Sequence, residues 1–168
     1  MRWIAISGSR ETNKEIERDV RDTVREILER GDGIITGGAL GVDWFATDEA
    51  LRIDKGAHQI KVFLPTSLEM YADHYRKRVT EGVITHDQAE MLIAQLRSLK
   101  TINPYALIEN AQNSIVDMRS YYERNTSIIY AADELIAFQV NESSGTQDTI
   151  NKARRKEIFI ELFQYTIP

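Results

Sequence analysis

The sequence contains no cysteine, which excludes disulfides and thiolate metal sites. Its three histidines, His58, His74 and His86, lie far apart and lack the spacing of metal ligands. Neither a metal nor a cofactor is expected. No apolar run is long enough to cross a bilayer, so no membrane partner is expected either. The opening residues, Met1-Arg2-Trp3-Ile4-Ala5-Ile6, are too short a stretch for a secretion signal and run directly into a turn. A cytoplasmic setting is expected. Positive charge is also scarce: 21 Lys and Arg against 26 Asp and Glu leave a net charge of −5. No overall basic field therefore draws in nucleic acid, and a local basic patch would have to work against that background. What is there, 42% hydrophobic and 28% charged residues over 168 positions, is the make-up of an ordinary globular chain. It is long enough for a sizeable core, and a single domain over 1–168 is expected.

The most informative stretch is Thr36-Gly37-Gly38-Ala39-Leu40-Gly41-Val42-Asp43. The apolar segment Gly33-Ile34-Ile35 precedes it, and a helical pattern follows from Val42. The expected geometry is strand, glycine turn, helix. A helix start leaves backbone N–H groups unpaired and carries partial positive charge. Glycines remove the Cβ atoms that would keep an anion from those groups. Asp43, in the first turn, is placed to cap the helix or to accept a bond from a ligand hydroxyl. A tight turn that binds nothing has the same pattern, because these glycines lack the full dinucleotide-binding spacing.

Trp3 to Ser7 reads as a buried first strand, ended by Gly8-Ser9-Arg10. Thr12 with Glu15 makes a capping-box pattern ahead of a helix with apolar positions Ile16, Val20, Val24, Ile27 and Leu28. Gln59 to Leu64 is a third strand, stopped by Pro65. From Ser67 to about Asn113 the pattern is helical and polar with no evident strand; Thr85 with Gln88 makes another capping box there. This stretch reads as a helical insertion at about 66–118, serving as a lid, an oligomer contact or plain packing. A helix over about Arg119–Ala132, a strand Glu134–Val140, a helix Thr146–Lys156 and a last strand Ile158–Phe163 follow. Such alternation predicts a mostly parallel five-stranded sheet with helices on both faces. In open sheets of this kind the ligand sits beyond the carboxyl ends of the strands, where polar glycine-containing turns follow strands one, two and four.

Each turn carries candidate chemistry. Ser7-Gly8-Ser9-Arg10 offers two hydroxyls, a flexible glycine and a guanidinium able to hold phosphate bidentately, although a plain surface arginine would look the same. In Glu142-Ser143-Ser144-Gly145-Thr146, Ser144 with Gln147 fits a capping box. Ser143, Gly145 and Thr146 go beyond capping and suggest a second anion cradle. Arg119 to Asn125 places two arginines, a carboxylate and an amide at a helix start, where a solvated face is the commoner explanation. Asp73-His74 and His86-Asp87 are discounted as acid–base pairs, because neighbours on a helix point different ways.

Taken in order, Gly8-Ser9-Arg10, Gly37 to Asp43, Glu123-Arg124-Asn125 and Ser144-Gly145-Thr146 resemble the motifs of the SMF/DprA–LOG superfamily, and most closely its DprA-like Rossmann domains. The resemblance runs from about Trp3 to Phe163, apart from the insertion. It implies a three-layer α/β Rossmann-like fold whose ligand edge binds nucleotides, nucleotide-derived signals or single-stranded DNA. The phosphoribohydrolase branch, which cleaves nucleoside monophosphates to base and ribose 5-phosphate, carries a PGGxGTxxE motif. In the matching stretch, Asn141 to Thr149, the glycine pair is gone and the glutamate falls on Thr149. Arg124 matches that branch's arginine and Asp148 is the acid that could substitute, so these two are the catalytic candidates for an N-glycosidase. The DNA-binding branch fits the Ser-Gly turn better, but it holds strand backbone with basic residues, and this acidic chain shows no lysine and arginine stripe.

The expected function is binding of a nucleotide or nucleotide-derived phosphorylated ligand at the C-terminal edge of the sheet. Backbone amides of Gly37, Gly38, Ala39 and Gly41, and of Ser144, Gly145 and Thr146, would hold phosphate beside Gly8, Ser9 and Ser143. Arg10 and Arg124 would neutralise it, Asp43 would accept from a ribose hydroxyl or brace the loop, and Asn125 would orient base or sugar. N-glycosidase activity and single-stranded DNA binding are the alternatives, the latter not favoured. A homo-oligomer is expected.

Overall fold

The computed structural model describes residues 1–168. Its first unit is β1 (Trp3–Gly8), α1 (Lys14–Glu29) and β2 (Gly33–Thr36). α2 (Val42–Ile53) and β3 (Ile60–Phe63) follow, then α3 (Leu68–Thr80), α4 (His86–Ile102) and β4 (Leu107–Ile108). The chain closes with α5 (Met118–Ala131), β5 (Glu134–Val140), α6 (Ser144–Lys156) and β6 (Phe159–Tyr165). No helix is long and apolar enough to cross a membrane.

All strands run parallel, in the order β4-β3-β2-β1-β5-β6. Because helices cover both faces, the inner strands are apolar on both sides. Ile4 and Ile6 of β1 join the larger core, against Ile16, Val20 and Val24 of α1. Ala5 between them joins the smaller one, against Ile128 and Ile129 of α5 and Ile150 of α6. The result is the three-layer α/β arrangement expected.

The sheet has six strands, not five. The additional strand, β4, is two residues long and pairs Val62 with Leu107 and Phe63 with Ile108. Two residues show no alternation, so it is hidden inside the polar 66–118 stretch, which otherwise forms α3, α4 and a 3₁₀ turn at Pro104–Ala106. Two caps also differ from expectation. Asn13, not Thr12, caps α1, accepting from the Ile16 amide at 2.9 Å. α6 begins at Ser144, and neither Ser144 nor the preceding Ser143 caps it through its side chain. The Thr85–Gln88 capping box on α4 is present with both of its hydrogen bonds.

From β1 the chain builds outward through β2, β3 and β4, then returns to lay β5 along the other side of β1. The order therefore reverses between β1 and β5, whose ladder runs from Ile4↔Glu134 to Gly8↔Phe138. The two helices that follow these strands diverge beyond that point and leave a crevice.

Candidate functional site

A cleft of about 570 Å³ occupies this crevice. Gly8, Ser9 and Arg10 enter it from the end of β1, and Gly37, Ala39 and Asp43 from the glycine turn and α2. Arg124 and Asn125 of α5 and Ser143 to Thr146 at the start of α6 close it. Gly38, Gly41 and Asp148 lie outside its lining.

The glycine turn is held from within. The Asp43 carboxylate accepts from the Gly37 and Ala39 amides, each at 3.2 Å, so neither amide is free for a ligand. Burial pushes the Asp43 carboxyl up to about 6, against the opposing pull of Arg124 and of those two amides. At Gly37 a Cβ would lie 2.8 Å from the Arg124 guanidinium carbon, so a side chain there would displace the guanidinium. That guanidinium donates to the Gly37 carbonyl. At Gly41 the backbone turns to φ +80, and a Cβ would stand 2.5 Å from the Ser9 carbonyl oxygen. The Val42 amide donates to the same oxygen, which locks the turn onto the end of β1.

Three helices begin at the cleft, and they are not equivalent. The start of α2 is preceded by amides already bound to Asp43. The start of α5 carries a complete capping box, with the Asp117 carboxylate accepting from the Ser120 amide at 2.9 Å. Only α6 starts without a side-chain cap or a bound carboxylate. There the Ser143 hydroxyl donates to the Thr146 hydroxyl at 2.9 Å, and nothing stands within 4 Å of where a Gly145 Cβ would be. Helix polarity and free amides therefore favour an anion at this end.

Arg124 is fixed on three sides. Its Nη1 donates to the Gly37 carbonyl, its Nε donates to Asn125 Oδ1 at 3.3 Å, and its face lies 5.2 Å from the centre of the Tyr121 ring. Asn125 is 7% exposed, and both ends of its amide are engaged, Nδ2 donating to Asp148 Oδ2 at 3.1 Å. Its side chain thus supports Arg124 and is not free for a base or sugar. The Asp148 carboxylate faces Asn125 and, at 2.6 Å, the Lys152 ammonium. It lies outside the cleft lining and is taken up by these two donors, so the acid role considered from sequence has no geometric support.

The insertion supplies a wall of the cleft, through residues that the sequence reading did not place in the site. His74, Tyr75 and Arg78 of α3 line the cleft. Tyr71, one turn back, donates its hydroxyl to the Gly38 carbonyl at 3.0 Å and meets the Tyr75 hydroxyl at 3.2 Å. Burial pushes both phenols up and makes them poor acids. Burial and Arg78 lower the pKa of His74, whose Nε2 lies 3.5 Å from the Tyr121 hydroxyl. The signal was available: Tyr71, His74, Tyr75 and Arg78 share helical spacing.

The family model for DNA recombination-mediator protein A matches residues 1–165. Among solved structures, the chain is similar to DNA processing protein A from Helicobacter pylori, a protein that binds single-stranded DNA. The TM-score is 0.70 at 20% identity, over 96% of this chain and 64% of that one. It is also similar to DNA processing protein A from Streptococcus pneumoniae, with a TM-score of 0.65 at 18% identity, over 100% of this chain and 50% of that one. A structural-genomics target, TM1055, gives 0.55 at 14% identity over 95% of this chain and 72% of that one. No curated protein matches the sequence. These structural likenesses show the fold, and the chain spans about half to two thirds of the two DNA processing proteins. The match along 1–165 establishes that the chain belongs to the DNA recombination-mediator protein A family.

Proposed function

We propose that this chain binds single-stranded DNA, taking a phosphate and its nucleoside into the cleft between β1 and β5. One observation carries the reading. Arg10 and Arg124 reach a single cleft with no carboxylate in ion-pair contact, in a chain of net charge −5. Cations left unpaired in a partly enclosed cleft gain most when an anion arrives. The uncapped start of α6 supplies amides at Ser144, Gly145 and Thr146 on the facing side. Tyr75, Tyr121 and Tyr122 add aromatic surface on which a base can stack whatever its identity. Family membership and the strand-binding relative from Helicobacter pylori support a strand over a free nucleotide.

A free mononucleotide is the second reading, favoured by the cleft volume of about 570 Å³, which suits one small ligand. Fluorescence anisotropy with a labelled oligothymidylate of about 20 nucleotides separates the two. The expected result is affinity that falls with salt, by a log–log slope of about 0.7 per phosphate held. Thymidine monophosphate should compete weakly and thymidine not at all. Competition by the monophosphate at the strength of the strand would restore the nucleotide reading. Absence of salt-sensitive binding by either would remove both.

A further inference from the structure

Asp148 stands outside the cleft, yet its carboxylate is closely engaged. Its Oδ2 receives two donors, Asn125 Nδ2 at 3.1 Å and Lys152 Nζ at 2.6 Å, and its side chain is 18% exposed. Lys152 is held in turn by the Tyr122 carbonyl at 3.0 Å and lies 5.1 Å from the centre of the Tyr122 ring. An amide has one donor end and one acceptor end. With Asn125 Nδ2 committed to Asp148, Oδ1 must face the other way, and it accepts from Arg124 Nε. The Gly37 carbonyl takes Nη1, so the Nη2 edge of the guanidinium is the one these bonds leave open.

We propose that Asp148, anchored by Lys152, is a positioning residue that orients Arg124 through Asn125 and thereby sets how tightly the cleft holds a phosphate. The relay also joins α5 to α6, so the guanidinium and the open start of α6 are presented to one anion as a rigid pair. A flexible arginine gives up rotamer freedom on binding, whereas one already fixed does not. This inference rests on the cleft being a phosphate site. It adds that the site depends on an acceptor outside it.

The test compares Asp148→Leu with Asp148→Asn, each alone and with Arg124→Ala. Both Asp148 changes remove the same negative charge, but only Asp148→Asn keeps an acceptor for Asn125. The expected result is that Asp148→Leu weakens oligothymidylate binding about tenfold, while Asp148→Asn stays within about twofold of the parent. In the Arg124→Ala background, Asp148→Leu should cost nothing further. Equal losses in both backgrounds, or failure of Asp148→Asn to rescue, would overturn the proposal. A second readout does not depend on DNA at all: the Arg124 Nε–H resonance in a nitrogen-15 spectrum. It should be protected from solvent exchange in the parent and in Asp148→Asn, and exposed in Asp148→Leu. If the parent binds no DNA, the proposed function fails while this spectrum still decides the relay. If Asp148→Leu does not fold, Lys152→Met is read in its place, and an unaltered Arg124 resonance there would equally overturn the proposal.

Discussion

Two groups of arginines in this molecule have opposite surroundings. At the seam between α1 and α2, Arg21 contacts Asp48 at 2.8 Å, Glu17 at 3.0 Å and Glu49 at 3.2 Å. Arg25 adds a second contact to Glu49 at 3.3 Å, and Arg52 one to Asp48 at 3.0 Å. Every charge there has an opposite neighbour, and the cluster ties two helices together. At the cleft, Arg124 is bound by a carbonyl, an amide and a ring, and Arg10 by none of the chain's carboxylates. An arginine whose charge is matched inside the protein has little left to offer an anion. The seam therefore ties the fold together, whereas on the proposed reading the cleft keeps its charge for a ligand. Net charge does not reveal that division, because it averages over both.

The largest expected effect breaks the seam. Arg21→Ala leaves Asp48 and Glu49 with part of their charge uncompensated, Glu49 being only 7% exposed. We expect a loss of about 3 kcal/mol in denaturant unfolding, with oligothymidylate affinity unchanged once the protein is folded. A drop in affinity as large as the drop in stability would mean that the two groups are not separate.

Asp43 lies between the two cases, a buried carboxylate attracted by Arg124 without an ion pair. Its folded pKa of about 6 lies above the ordinary carboxylate value of 3.8. The folded state thus holds the proton more tightly than the unfolded state. The stabilisation from this group is complete below the ordinary range and is lost as pH rises through about 6. Unfolding measured from pH 4 to 7 should show a decline on the order of 2 kcal/mol that Asp43→Asn abolishes. An identical pH profile in the two proteins would count against the burial argument. Protonation of Asp43 also leaves the cleft more positive, so binding should tighten as pH falls through the same window, with His74 adding to the trend at the acid end.

Arg124→Ala reverses the seam result. We expect binding to weaken about thirtyfold, or about 2 kcal/mol, and stability near neutral pH to fall by about 1 kcal/mol, because the buried Asp43 carboxylate loses the attraction of Arg124 while the freed Gly37 carbonyl turns to water. The salt slope should fall by about 0.7, because one phosphate fewer is neutralised. An unchanged slope would place Arg124 in the architecture and not in the interface.

How much of this could be read from the sequence follows from the range of the interactions. The glycine turn, its strand and its helix were legible because they depend on consecutive residues, as did the alternation that predicts the sheet. β4 was not, since two residues cannot display a period. Ser144 with Gln147 looked like a capping box because spacing alone was visible; the side chain of Gln147 instead accepts from Gln139 at 3.0 Å. The cleft gathers Arg10 and Ser143 to Thr146, as their positions after a strand and at a helix start imply, together with Arg124 from the middle of α5. The direction of Asp148, set by Lys152 one turn away and by Asn125 23 residues earlier, had no local signature. Nor had the Tyr71 bond to Gly38, which spans 33 residues and turns a helical insertion into a wall of the site.

Arg10 provides the finest test of the comparison. It is exposed and unpaired, whereas Arg124 is half-buried and held in place. If charge alone sets affinity, the two should contribute alike. If fixing the guanidinium matters, Arg10 should contribute less, because it gives up side-chain entropy on binding and salt screens it more. We expect Arg10→Ala to weaken binding about fivefold at low salt and scarcely at all when the ionic strength is high, while the Arg124→Ala loss persists at both. Arg78, already 3.1 Å from Glu81, should contribute less still. Equal losses for Arg10 and Arg124 at every salt concentration would mean that the clamp around Arg124 serves only to hold the glycine turn in place. The affinity of the cleft would then follow from its charge count and not from the arrangement that fixes the guanidinium.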